Sequence, residues 1–101
     1  MDRDAIARVE IDSDRRLHVV PASQEFPFIY RAGMEVGWDA DLRSLHSPKP
    51  RDWSYMRWFQ QILAAAAEEY GCKLVLTDDT AWVNVDPGTK AGLLGFSGHG
   101  A

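Results

Sequence analysis

The residue pattern predicts an α+β fold in which antiparallel β-hairpins, about five to six strands in all, pack on one long amphipathic helix in the order β-β-β-β-α-β-β. Three observations carry that expectation. Apolar residues at Ala7, Val9 and Ile11 alternate with Arg8, Glu10 and Asp12, the period-two pattern of a half-buried strand. Tyr55, Trp58, Phe59, Ile62, Ala66 and Tyr70 follow the three-and-four spacing of an apolar helical stripe. Beyond that stripe, two short runs rich in Val and Leu are separated by Asp78 and Asp79.

Taken in chain order, Ala7–Asp12 is the first strand, Ser13–Arg16 a polar turn, and Leu17–Val20 a partner strand whose ladder Pro21 stops. Residues 23–34 can be read as strand or helix. Pro27 and Gly33 weaken a helix, so the expected element is a strand from Phe28 to Trp38, bulged near Gly33. Asp39, Ala40 and Asp41 supply turn chemistry, and Arg43–His46 returns as its partner. Ser47-Pro48-Lys49-Pro50-Arg51 is an extended connector, because its prolines remove amide donors. The helix then runs from Trp53 to Tyr70, capped by Asp52 or Ser54 and ended by Gly71. Lys73–Thr77 and Ala81–Val85 form a third hairpin. Residues 1–88 thus read as one α+β domain, and residues 89–101 as a Gly-rich tail whose composition cannot support its own ordering.

Composition excludes several classes of function. Fifteen acidic against eleven basic residues give a formal charge of −4, which opposes the phosphate attraction that nucleic-acid binding needs. The single Cys72 leaves no internal disulfide to require an oxidising compartment. The first twenty residues contain no continuous apolar run of the kind an export signal has, and no segment approaches the roughly 18 apolar residues of a membrane span. A cytoplasmic chain without membrane contact is expected.

Candidate chemistry is sparse. His18, His46 and His99 show no metal-ligand spacing, and no cofactor motif is present. Gly88-Thr89-Lys90 lacks the order of a phosphate loop. Cys72, at the negative end of the helix dipole, reads as a small apolar filler. Asp39 with Asp41, and Asp78 with Asp79, read as turn residues rather than acid/base pairs. The constellation that stands out sits around the start of the helix: Arg43, Lys49, Arg51 and Arg57 among Trp53, Tyr55 and Trp58. Such a patch can hold an anion at a helix N-terminus, or its cations can pair with nearby acids while the rings fill the core. Trp38 and Trp82 complete the list of candidate ligand or partner contacts, and no catalytic residue is assigned.

The residues Phe28-Ile29-Tyr30-Arg31, Trp38-Asp39, Leu45, Ser47-Pro48-Lys49-Pro50-Arg51, Trp53-Ser54-Tyr55, Trp58-Phe59-Gln60-Gln61-Ile62 and Thr80-Ala81-Trp82 resemble a family. It comprises small uncharacterised bacterial proteins encoded on integron gene cassettes, with their chromosomal relatives. The resemblance spans Val9 to Val85. It implies an α+β fold, self-association, an adaptive or interaction role, and no assigned functional residues.

The expected function is therefore a non-catalytic binding or interaction module acting as a homo-oligomer, with aromatic rings shared across a symmetric interface. Two alternatives stay open. One is a small-molecule binder lined by Trp38, Tyr55, Trp58 and Trp82; the other is an enzyme of unknown reaction using His46, Asp39 and Arg51.

Overall fold

The computed structural model describes residues 2–48 and 53–97. Among them the chain forms a six-stranded mixed sheet and two helices. The long first strand β1 (Asp2–Ile11) turns at Asp12–Arg16 into β2 (Leu17–Pro21), antiparallel to it. Asp12 builds that turn by accepting the amides of Asp14 (2.8 Å) and Arg16 (2.9 Å) on Oδ1, an Asx arrangement that lets a short polar side chain replace backbone partners. A second, shorter hairpin, β3 (Gly37–Asp39) with β4 (Ser44–His46), adds to β2 through the pairs His18–His46 and Val19–Leu45.

Helix α1 (Tyr55–Tyr70) starts two residues after the expected boundary. The side chain of Ser54 accepts the Arg57 amide at 3.2 Å, so Ser54 is the cap; Asp52 lies outside the described residues. Gly71 ends the helix in the left-handed region, φ 60°, with its amide directed at the carbonyls of Ala66 and Ala67. One face of α1, carrying Trp58, Phe59, Ile62, Ala65 and Ala66, is buried with Ile6, Val9, Leu17, Val19 and Leu45 of the sheet. Each large side chain fully buried in this way contributes about 1.5–3 kcal/mol relative to exposure.

Three expectations are corrected. The strand expected from Phe28 to Trp38 is instead a 3₁₀ turn, Ile29–Ala32, followed only later by β3. The amides of Ile29, Arg31 and Gly33 donate to the carbonyls three residues back. This tight winding buries Phe26 and Ile29 together, and Gly33 at φ 67° terminates it. Burial of Phe26 and Ile29, two apolar residues three apart, in the core favours this winding over an extended strand.

Second, the strands after α1 do not form a hairpin. β5 (Cys72–Val75) and β6 (Ala81–Val83) both run parallel to β1, one beside Asp2–Ala5 and the other beside Arg8–Glu10. The crossover through α1 delivers the chain back to the start of β1, pointing the same way, as parallel neighbours require. Residues 77–80 leave the sheet and rejoin it, an excursion instead of a reversal. Thr80 ties it down: its hydroxyl donates to the Ile6 carbonyl (2.7 Å) and accepts the Thr77 amide (3.0 Å). The β1–β2 register shifts between Ile6 and Arg8, at the same level.

Third, the Gly-rich segment is not without regular structure. Helix α2 (Pro87–Ser97) opens with proline at its first position, where the missing amide costs nothing. Asp86 caps it by accepting the Thr89 amide and hydroxyl. Leu93 is fully buried against the core and Gly92 approaches Met56. The ordering that its composition cannot supply comes from docking on α1. Residues 98–101, and with them His99, lie outside the described residues.

Candidate functional site

The residues singled out around the start of α1 do not converge on one point. Trp53 and Trp58 pack with their rings tilted by 45° and centroids 4.7 Å apart, and the Arg57 guanidinium lies 4.4 Å over the Trp53 ring. Trp58 itself is buried, and its indole Nε1 has no hydrogen-bond partner among the described residues. Tyr55 reaches the other way, donating its hydroxyl to the Arg15 carbonyl at 3.0 Å. Arg43 is engaged elsewhere, pairing with Glu25 and donating to the Ser23 carbonyl. Trp38 packs on Phe26, whose other side meets Tyr70 edge-on at 4.8 Å. Trp82 carries Lys90 over its ring. Lys49 and Arg51 lie outside the described residues.

Asp41, Asp78 and Asp79 sit in turns, and Asp39, the last residue of β3, flanks one. Asp39 accepts the amides of Asp41 and Leu42; the Leu42 bond first, then the Asp41 bond and the nearby His46 and His18, hold its carboxyl below the usual range. Cys72 is buried, and its thiol is pushed up by burial and then by Asp4 and Asp2, which makes it inert. Among the described residues no group of three or more His, Cys, Asp or Glu side chains converges as a metal site.

Two features escaped sequence reasoning. The first is an apolar groove of about 340 Å³ between α1, β5 and the end of α2. Leu63, Ala64, Ala67, Leu74 and Phe96 line it, with Gln60 and Lys73 as its polar members. Leu94 and Phe96, near the C-terminal end of α2, are 39% and 40% exposed. The small side chains of Ala64–Ala67 predict close approach of a sheet or another helix but not a groove, and Phe96 lies in the Gly-rich segment, for which composition predicts no order of its own.

The second is a buried polar chain on the sheet face opposite Leu17 and Val19. Strand alternation puts His18 there, 7% exposed, and Ser44, 1% exposed. Asp12 Oδ2 lies 2.7 Å from His18 Nε2, and His18 Nδ1 lies 2.9 Å from Ser44 Oγ. A small void of about 60 Å³ adjoins them, lined also by Arg8, Glu10 and Leu42. Burial pushes the Asp12 carboxyl upward, but the His18 hydrogen bond and the amides of Arg16 and Asp14 outweigh it and lower its pKa. The three residues lie 6 and 26 positions apart, so no local motif could announce them.

The lowered Asp12 pKa fixes a sign for acid stability. A carboxyl depressed on folding contributes stability above its unfolded value, about 3.9, and loses it as pH falls through the folded value. Asp12→Asn is therefore expected to destabilise the chain at pH 7, by an amount that shrinks as pH falls below the unfolded value. Urea midpoints across an acid pH series measure this; a gap that stays constant throughout would contradict it.

A six-stranded mixed sheet with helices on one face and interrupted parallel strands at its edge defines the class, a small α+β domain without a recognised catalytic motif. A family model described as "Integron Cassette Protein Hfx_Cass5" matches residues 4–80, and the chain belongs to that family. It is 53% identical to a solved structure titled "Structure from the mobile metagenome of North West Arm Sewage Outfall: Integron Cassette Protein Hfx_Cass5". The match covers 92% of this chain and 93% of the other, with a TM-score of 0.51, agreement at the level of overall fold. No match is found among curated proteins. The family is one of unknown function, as the resemblance implied. No helix among the described residues is long and apolar enough to cross a membrane.

Proposed function

We propose that this chain is a binding module that self-associates through the groove between α1, β5 and α2, in the cytoplasm, as an accessory protein of a mobile gene cassette. The observation that carries the reading is the self-complementary character of that edge. The exposed ring of Phe96 lines an apolar groove together with the small residues Ala64 and Ala67. A two-fold axis lets each copy insert into the other, the isologous contact that closes a dimer. Small residues permit two α1 helices to approach closely. Charge supports a second copy as the occupant: Lys73 is exposed at the groove, and Glu68, one helical turn beyond Ala64, is exposed on the same side of α1. Neither forms an ion pair among the described residues, so a two-fold copy can bring them together. Strand-edge pairing is a weaker route, because β5 and β6 are short and interrupted, a form that discourages edge association.

Sedimentation equilibrium at micromolar concentration is expected to show a dimer that Ala64→Arg and Phe96→Glu each convert to a monomer with unchanged far-UV circular dichroism. A wild-type chain that stays monomeric over that range rejects the reading. The groove's volume is also within the range of small-ligand sites, about 300–1,000 Å³, and its Lys73 favours an apolar carboxylate. That is the second reading, supported if such acids bind a monomeric wild type and Ala64→Arg abolishes binding.

A further inference from the structure

We propose that Asp12, His18 and Ser44 form a nucleophilic relay in which Ser44 Oγ is the group acylated, with esters of short-chain acids as the substrate class. The geometry is that of a nucleophile, a base and an orienting carboxylate in consecutive hydrogen-bond contact: Ser44 Oγ to His18 Nδ1 at 2.9 Å, and His18 Nε2 to Asp12 Oδ2 at 2.7 Å. Asp12 cannot swing away, because its Oδ1 holds the amides of Asp14 and Arg16. An ionised carboxylate only accepts hydrogen bonds, so Nε2 carries the ring proton. In the neutral imidazole Nδ1 is then bare, and the hydroxyl of Ser44 donates to it. Compared with the serine hydrolases the two ring nitrogens have exchanged partners. Proton transfer requires only that one nitrogen donate to the carboxylate while the other accepts from the hydroxyl.

The void beside the relay sets the substrate class. At about 60 Å³ it has room for roughly two water molecules, taking about 30 Å³ for each, and hence for an acetyl-sized group but not a long acyl chain. Leu42 supplies its apolar member. Arg8 is the cation that lines it, with its buried Nε 3.2 Å from Glu10 Oε1 but in no hydrogen bond, and it is the group available to offset the charge that develops on a carbonyl oxygen. In the acylation step Ser44 Oγ bonds to the carbonyl carbon and its proton passes to His18 Nδ1. The imidazolium is held by Asp12, the carbon–oxygen bond to the alcohol breaks, and the alcohol oxygen takes the proton from Nδ1. Water then attacks the acyl-Ser44 by the same route, its proton passing through His18, to release the short-chain acid. This void lies on the face of the sheet opposite α1, so the inference stands apart from the self-association reading.

The test is acylation of the full chain by p-nitrophenyl acetate, followed by intact mass and peptide mapping. The expected result is a hydroxylamine-labile acetyl group on Ser44, with release of p-nitrophenolate. Ser44→Ala abolishes the modification and Ser13→Ala, in the exposed β1–β2 turn, leaves it unchanged. Asp12→Asn, which holds the ring in the wrong tautomer, slows it by about 10⁴-fold and alters its pH profile. Wild-type chain acetylated only on lysines or on His18, or not at all, overturns the proposal without reference to whether any variant folds.

Discussion

Truncating Phe59 to alanine is expected to lower the unfolding free energy by about 3–5 kcal/mol, the range for removing a large buried aromatic from a close-packed core. Phe59 is fully buried on the inner face of α1 and meets Phe96 of α2 edge-on, with ring centroids 6.1 Å apart. It therefore joins the sheet-facing core to the second helix. A domain of this size holds about 5–15 kcal/mol in total, so the variant should be close to unfolding at ambient temperature. Urea denaturation followed by Trp fluorescence measures it, with Trp53 and Trp58 on or near the same helix as reporters. A loss below about 1 kcal/mol, typical of a surface change, would mean that α1 does not close this core.

Replacing Thr80 with valine tests the tether between the interrupted edge and β1. The substitution keeps the side-chain shape but removes a hydroxyl that satisfies two backbone groups at once, the Ile6 carbonyl and the Thr77 amide. Leaving a buried polar group unpaired costs about 1–3 kcal/mol. The expected destabilisation is about 2–3 kcal/mol, because Thr80 is itself buried and water cannot readily replace the bonds. Thr80→Ser, which retains both bonds, should recover most of it. The effect should also be local. Amide exchange should accelerate in β6 and at Thr77, while the β1–β2 pairs Val9–Val19 and Glu10–His18 keep their protection. Uniform acceleration across the sheet would show that Thr80 acts on global stability alone.

These two residues illustrate how differently the sequence spoke about its parts. Phe59 was legible because the stripe on α1 repeats at helical spacing, and the physical cause of that spacing, one buried face, is local to sixteen residues. The β1–β2 hairpin was legible for the same reason, since alternation and a polar turn specify it without reference to distant segments. Thr80 was not. Its role comes from meeting the Ile6 carbonyl 74 residues away, and its own neighbourhood reads only as a turn. The parallel placement of β5 and β6 was equally hidden, because two short strands around an Asp pair carry the same local pattern whether they face each other or share a third partner.

The candidate site divides along the same line. Trp53, Arg57 and Trp58 do meet, two residues of the first helical turn with the residue before the cap. Arg43, Trp38 and Trp82 were drawn in by residue type, and the fold spreads them to separate partners. The groove depends on α2, whose ordering is a docking effect: glycine-rich chain lacks the side chains to fix its own helix, but Leu93 buried against the core supplies the missing free energy. The Asp12, His18 and Ser44 chain depends on three backbone segments being set side by side.

By itself, then, the sequence determined an α+β chain with one amphipathic helix, the β1–β2 hairpin and family membership, all of which rest on periodicity, caps and local residue pattern. Only the tertiary structure decided that the last two strands run parallel to the first, that Pro87–Ser97 is a helix, and that Asp12, His18 and Ser44 touch. The physical reason is range. Local backbone preferences act over a few residues, whereas pairing partners, docked helices and hydrogen-bond chains are chosen by burial, and burial is settled only when distant segments compete for the same core.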